Sequence, residues 1–300
     1  MNETYHIPVL LNESIEGLNI DPNGIYVDVT YGGGGHSSKI LEKLDKGKLI
    51  AFDQDSDVLN NLPADDRLIF VQQNFKYLRN FLDYYGFEQV DGILADLGVS
   101  SHDFDVAERG FSTRFDGALD MRMNQTATLT AANVINGYTE EELMKIFRDY
   151  GEISNARKTA ALIVSARSNE KIETTGQLCG LLNGLVPQKM NSKFQAQVFQ
   201  ALRIEVNREL DVLKDFLNNA YQVLKPGGRL VVLSYHSLED RLVKNFIQRG
   251  DVEGEIEKDF FGNIQLKFKP VGKKFIVPDN DEIGRNSRAR SAKLRIAEKI

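Results

Sequence analysis

The stretch Asp28-Val29-Thr30-Tyr31-Gly32-Gly33-Gly34-Gly35-His36-Ser37 decides how this chain is read. It follows an apolar segment, Ile25 to Val29, that suits a buried strand, and precedes an amphipathic run, Ser37 to Leu44, that suits a helix. The glycines therefore stand at a strand-to-helix turn, where a backbone without Cβ atoms can turn tightly and approach a ligand. Roughly twenty residues on, a second apolar segment, Leu49 to Phe52, ends in Asp53, a suitable place for an acid that accepts hydrogen bonds from a ribose diol. Together these features predict a nucleoside-containing cofactor on an α/β sheet. A flexible loop would account for the glycines alone, but not for the strand before them and the acid after them.

Outward from that turn, the first part of the chain alternates short strands with helical stretches, as a parallel sheet requires. The predicted strands are Ile25 to Val29, Leu49 to Phe52, Leu68 to Gln72 and Gly92 to Ala95. After the loop Leu97 to Arg122 the pattern becomes helical. Thr139 and Glu142 form a capping box, and Leu143, Ile146, Phe147 and Tyr150 then recur at helical spacing. Leu178, Leu181, Leu182 and Leu185 repeat this before Val186-Pro187 stops it. Asn191 to Leu224 can hold one bent helix or two consecutive ones. Lys225-Pro226-Gly227-Gly228 then reads as a turn into a fifth strand, Arg229 to Ser234. The predicted layout is an α/β domain, residues 1–105 and 213–300, with an all-helical domain, residues 106–212, inserted into it.

Composition narrows the function classes. The chain has 300 residues, 42% of them hydrophobic, enough for a sizeable core. The first residues lack the basic and apolar regions of a signal peptide, and no apolar run approaches a membrane span, so a soluble cytoplasmic protein is expected. Cys179 is the lone cysteine, and His6, His36, His102 and His236 show no metal-ligand spacing, so no metal is expected. The net charge of −6 speaks weakly against nucleic acid, yet Ile264 to Ile300 holds ten Lys or Arg against four acids. That tail could face phosphates, or be a solvated strand pair.

In doubly wound sheets ligands lie beyond the carboxyl ends of the strands, near the point where strand order reverses. The glycine turn, Asp53, Asn74-Phe75, Asp96 to Asp103 and Tyr235-His236-Ser237 all fall at those ends. Each histidine there has a structural alternative: His36 as the start of a helix, His102 as a surface loop residue, and His236 beside an N-cap at Ser237 followed by Asp240 three positions on.

Several segments resemble one family when taken together and in order. They are His6 to Glu13, Gly32 to Ser37, Asp91-Gly92-Ile93-Leu94-Ala95-Asp96-Leu97-Gly98-Val99-Ser100-Ser101, Glu108 to Ser112, Leu119 to Met123, Phe199 to Ile204, Tyr235 to Asp240 and Ser287 to Ser291. The family is RsmH, also called MraW, the bacterial 16S ribosomal RNA cytosine-N4 methyltransferases, and the resemblance covers nearly the whole chain. It implies a class I (Rossmann-like) methyltransferase fold with an inserted all-helical domain, S-adenosylmethionine as methyl donor, and a decoding-centre cytidine of 16S rRNA in the small ribosomal subunit as acceptor. It implies no membrane partner, and a homodimer as the assembly to test. Carried over by motif, Gly34, Gly35 and His36 would contact the cofactor, Asp53 its ribose, Phe75 its adenine and Asp96 its amino-acid end. The family commonly has Pro-Gln after the paired serines where this chain has His102-Asp103. A carboxylate at Asp103 could accept hydrogen bonds from the cofactor but could not donate unless protonated.

Methyl transfer from a sulfonium to an exocyclic amine is an in-line displacement that needs the nitrogen roughly 3 Å from the methyl carbon. Acceptors for the amine N–H groups help stabilise the positive charge developing on nitrogen. Asp96 is the candidate catalytic acceptor, the other reading being that it only holds the cofactor ammonium. The target base must be unstacked. Arg109, Arg122 and His236 are candidate substrate-binding residues, with Arg114, Phe111 and Phe115 interleaved in the same loop as the two arginines; a structural ion-pair role for the arginines is the alternative. Two other classes compete: a nicotinamide-dependent oxidoreductase, from which the glycine pattern deviates at its last position, and a noncatalytic ribosome-assembly factor, which would leave the glycine turn unused.

Overall fold

A computed structural model describes residues 8–99, 104–255 and 266–300. The chain forms two compact units, Met1–Gly98 with Leu210–Ile300, and Val99–Glu209.

The first unit is built on a sheet whose strands among the described residues are β1 (Ile25–Asp28), β2 (Lys48–Asp53), β3 (Leu68–Gln72), β4 (Val90–Asp96), β5 (Leu224–Ser234), β6 (Phe268–Pro270) and β7 (Lys293–Lys299). They lie in the order β3-β2-β1-β4-β5-β7-β6. The five strands from β3 to β5 pair in parallel, and β7 runs antiparallel to both β5 and β6. This is the class I methyltransferase arrangement, a Rossmann-like sheet with one reversed strand, β7, set between β5 and β6. Chain order reverses between β1 and β4, which places the crevice beyond their carboxyl ends.

Alternation along the strands feeds two cores. Val27, Ile50, Phe52, Ile93, Ala95, Leu230 and Val232 face one side, with Leu78 and Leu82 of α3 (Leu78–Tyr84). Leu213, Phe216 and Leu217 of α9 (Glu209–Val223) and Val243 and Phe246 of α10 (Ser237–Arg249) join them. Tyr26, Leu49, Leu94, Val231 and Leu233 face the other side, with Leu18 of α1 (Leu11–Leu18) and Ile40 and Leu41 of α2 (Gly35–Lys43). A sheet covered on both faces explains why these strands read as nearly continuous apolar runs.

One local feature differs from the sequence reading, and two others fall among its alternatives. Lys225 to Gly228 is a bulge inside β5: pairing passes from Val90–Leu224 directly to Gly92–Arg229, and Gly227 at φ 80° makes the turn. The long helical stretch is two helices, α8 (Asn191–Asn207) and α9, broken at Arg208, whose φ is 52°. The basic tail contributes strand β7, in which Arg295 and Lys293 pair with Asp240 at 2.8 and 3.1 Å. Burial pushes the Asp240 carboxyl up, but these two cations outweigh it and leave it below the ordinary range.

The second unit contains α4 (Ala131–Gly137), α5 (Glu140–Asp149), α6 (Ala156–Arg167), α7 (Thr175–Leu182) and α8. Their apolar faces, among them Leu143, Phe147, Ile163, Leu178, Val198 and Leu202, enclose a core of their own. Helix α5 starts with the expected box: Thr139 Oγ1 accepts from Glu142 N–H, and the Glu142 carboxylate accepts from Thr139 N–H at 2.7 Å. Replacing Thr139 with Ala should destabilise this unit by about 1 kcal/mol in urea denaturation; no shift of the midpoint would show that the cap contributes nothing. No helix among the described residues is long and apolar enough to cross a membrane.

Candidate active site

The glycine turn is anchored from beneath by Asp28, a fully buried carboxyl at the end of β1. Its Oδ2 accepts from Ser37 Oγ at 2.7 Å, and its Oδ1 accepts from Thr30 N–H at 3.1 Å. The Thr30 hydroxyl in turn accepts from the Asp96 N–H at 2.7 Å. Asp28 thus ties both ends of the turn together, and Thr30 joins the turn to the end of β4 across the switch point. Burial pushes the Asp28 carboxyl above its ordinary range.

Within the turn, Gly34 has φ 75°, and a Cβ there would lie 2.6 Å from the Tyr31 hydroxyl oxygen. A Cβ on Gly35 would lie 2.2 Å from Pro8 Cγ. Both glycines are required by the protein's own packing as well as by any ligand. Gly34 is also the N-cap of α2, so the first N–H groups of that helix open toward the crevice.

His36 lies in the first turn of α2, buried, with Nε2 at 3.2 Å from the Val9 carbonyl oxygen. A carbonyl can only accept, so it is Nε2 that donates here. The His36 Nδ1 lies 3.7 Å from Asp96 Oδ2, beyond hydrogen-bonding distance. On the other carboxylate oxygen of Asp96, Oδ1, the Tyr235 hydroxyl donates at 2.7 Å.

Asp53, at the end of β2, accepts from Gly32 N–H at 2.8 Å through Oδ2 and from Asp55 N–H at 2.9 Å through Oδ1. Each oxygen keeps a second lone pair, so the carboxylate can still accept from a diol. Burial raises its pKa to about 6 against the lowering effect of those two N–H groups. Phe75, just beyond β3, packs edge-on against Phe216 with ring centroids 5.4 Å apart. Beside it the Asn74 side-chain amide donates to Gln54 Oε1 at 3.1 Å, linking the ends of β2 and β3.

His236 is placed differently from the sequence reading. It is itself the N-cap of α10, its Nδ1 accepting from Glu239 N–H at 3.4 Å, so the box falls one residue earlier than Ser237 and Asp240. The ring nitrogen is the stronger claimant because buried Glu239 closes the box, accepting from the N–H groups of Tyr235 and His236. The His236 Nε2 lies 3.2 Å from Glu239 Oε1 but has no hydrogen-bond partner among the described residues.

In the helical unit, Arg109 is buried; its Nη2 donates to the carbonyls of Arg122 and Met123 at 3.2 and 3.3 Å, and the guanidinium lies over the Phe111 ring. Arg122 makes a two-point pair with Asp120 and donates to the carbonyls of Gln125 and Ala127. Both arginines shape their own loop, whereas Arg114 and Phe115 are exposed. His6, Ser100, Ser101, His102 and Asp103 lie outside the described residues. Sequence reasoning assigns nothing to Asp28 and does not link Tyr235 to Asp96. The spacing of Asp28 to Ser37 across the glycines is the available signal for the first; the second contact spans strands and has none.

The family model for the MraW methylase family matches residues 3–300. The chain belongs to that family. Relatives include ribosomal RNA small subunit methyltransferase H of Bacteroides fragilis (strain YCH46), 59% identical over 297 residues, 99% of this chain and 98% of that protein. The protein of the same name from Flavobacterium johnsoniae is 57% identical over 297 residues, again 99% and 98%. Among solved structures, an rRNA methylase from Streptococcus thermophilus aligns with a TM-score of 0.45 at 13% identity, over 98% of this chain and 99% of that one. Three of the segments that carry the MraW methylase resemblance lie at the crevice: the glycine turn, the end of β4 and the start of α10.

Proposed function

We propose that this member of the MraW methylase family transfers a methyl group from S-adenosylmethionine to 16S ribosomal RNA of the small subunit, at the exocyclic N4 amine of a decoding-centre cytidine. The observation that supports this most strongly is the meeting of the Asp28-anchored glycine turn with Asp96 at the switch between β1 and β4, in a chain that matches a methylase family from end to end. S-adenosylmethionine, when bound, supplies an electrophilic methyl group on a sulfonium. The residues present suit it. Asp53 retains acceptor capacity for a ribose diol, and the Asp96 carboxylate, with Oδ1 held by Tyr235, offers Oδ2 to an ammonium. Gly34 and Gly35 bring backbone close to the amino-acid end, and Phe75 offers a ring for the adenine.

Asp96 does further work in this reading. Its negative charge, at the carboxyl end of β4, stabilises the positive charge that develops on the attacking nitrogen, and it accepts from the amine N–H. Asp103 would add an acceptor at the cofactor. The helical unit, with the loop around Arg109 and Arg122, serves substrate recognition: those two arginines hold the loop in shape and exposed Arg114 and Phe115 meet the RNA. His236, at the start of α10, borders the acceptor side. Small subunits are cytoplasmic, which places the activity there.

Calorimetry with S-adenosylhomocysteine and NADH tests the cofactor class: binding of the first alone is expected, and binding of NADH alone would favour an oxidoreductase. For the tail, exposed Arg288 and Arg290 are the residues to change. Replacing both arginines with Ala should weaken small-subunit binding and lower its salt slope by up to about one unit for each arginine removed. An unchanged slope would move phosphate recognition away from the tail.

A further inference from the structure

Tyr235 follows β5, whose residue Leu233 is paired with Asp96, so its side chain reaches back across one strand spacing to that carboxylate. It is held at three points. Its N–H donates to Glu239 Oε2 at 2.9 Å, and Glu239 is itself buried within the cap of α10. Its ring faces the turn after β4: a Cβ built on Gly98, where φ is 108°, would lie 3.4 Å from Tyr235 Cδ2. Its hydroxyl donates to Asp96 Oδ1 at 2.7 Å.

We propose that Tyr235 is a positioning residue for methyl transfer: its hydroxyl fixes the Asp96 carboxylate, leaving Oδ2 and the free lone pairs aimed into the crevice. The inference rests on the reading of Asp96 given above. A carboxylate at a strand end can rotate about its terminal torsion, which is broad; one short bond from a rigid ring removes that freedom. The phenol is a dependable donor, because burial and then the Asp96 charge push its pKa well up, so it stays protonated wherever Asp96 is ionised. Glu239 acts one step further out, by locking the Tyr235 backbone.

The test is Tyr235→Phe, which keeps the ring and its packing on Gly98. At saturating donor and small subunits, turnover is expected to fall about tenfold, one hydrogen bond to a charged group, while affinity for S-adenosylhomocysteine changes by less than about threefold. The loss is expected in turnover and not in the KM for S-adenosylmethionine. In an Asp96→Asn background, Tyr235→Phe should cost nothing more. Full additivity in that double variant, or a loss confined to KM, overturns the proposal. If Asp96→Asn itself leaves turnover intact, it is the reading of Asp96 that fails. Should Tyr235→Phe not fold, 3-fluorotyrosine at 235, a stronger donor on the same ring, should change turnover in the native background and not in Asp96→Asn; equal effects in both overturn the proposal.

Discussion

Asp96→Asn should lower methyl transfer to small subunits by on the order of 100-fold, with the fold intact. The substitution preserves shape and the acceptance of the Tyr235 proton, but removes the charge at the carboxyl end of β4. Loss of one preorganised group facing a developing charge has this size. Saturation separates the two roles Asp96 could play. If it also stabilises charge on the attacking nitrogen, the loss persists at saturating S-adenosylmethionine; if it only holds the donor's ammonium, saturation restores the rate. Persistence is expected.

Asp53→Ala should weaken S-adenosylmethionine binding by about 1.5 to 3 kcal/mol, roughly tenfold or more, because the ribose hydroxyls lose a charged acceptor. It also frees the Gly32 and Asp55 N–H groups, so the variant's fold is checked by its melting temperature. A pH signature accompanies this assignment. The Asp53 pKa is raised by burial from 3.8 to about 6. Its contribution to folding is therefore complete below about pH 4 and lost as pH rises through about 6, on the order of 2 to 3 kcal/mol. Cofactor binding runs the opposite way, since diol hydroxyls donate to the ionised form: affinity should rise between about pH 5 and 7 with release of a proton. Calorimetry in buffers of different ionisation enthalpy measures that proton, and affinity independent of pH in Asp53 protein would remove the residue from the ribose site.

What the sequence reveals follows the physics of each feature. The parallel strands are legible because a sheet covered on both faces imposes long apolar runs, and Leu49 to Phe52 and Gly92 to Ala95 stand within the strands observed. The Thr139 box is legible because its partners are three residues apart. The bulge at Lys225 to Gly228 is not, since a Pro-Gly-Gly run marks a turn whether or not the strand continues beyond it. Nor is the place of β7 between β5 and β6, which is fixed by pairing with strands distant in sequence. At the site, Asp53 and Asp96 are read from strand ends, but the fate of each charge depends on partners brought in from elsewhere in the chain. Arg109 and Arg122 look like phosphate ligands in a row of residues; in three dimensions their donors go to loop carbonyls and to Asp120. Asp28 is the converse, a residue marked only by its spacing to Ser37 that holds the glycine turn together.

The most direct test is mass spectrometry of small-subunit RNA after incubation with the purified protein and S-adenosylmethionine carrying a deuterated methyl group. One labelled methyl is expected on the N4 nitrogen of a single decoding-centre cytidine, and its yield should collapse when Asp96 is replaced by Asn. Label on a ring carbon, on another base or on a ribose, or no label on RNA at all, would contradict the proposed function.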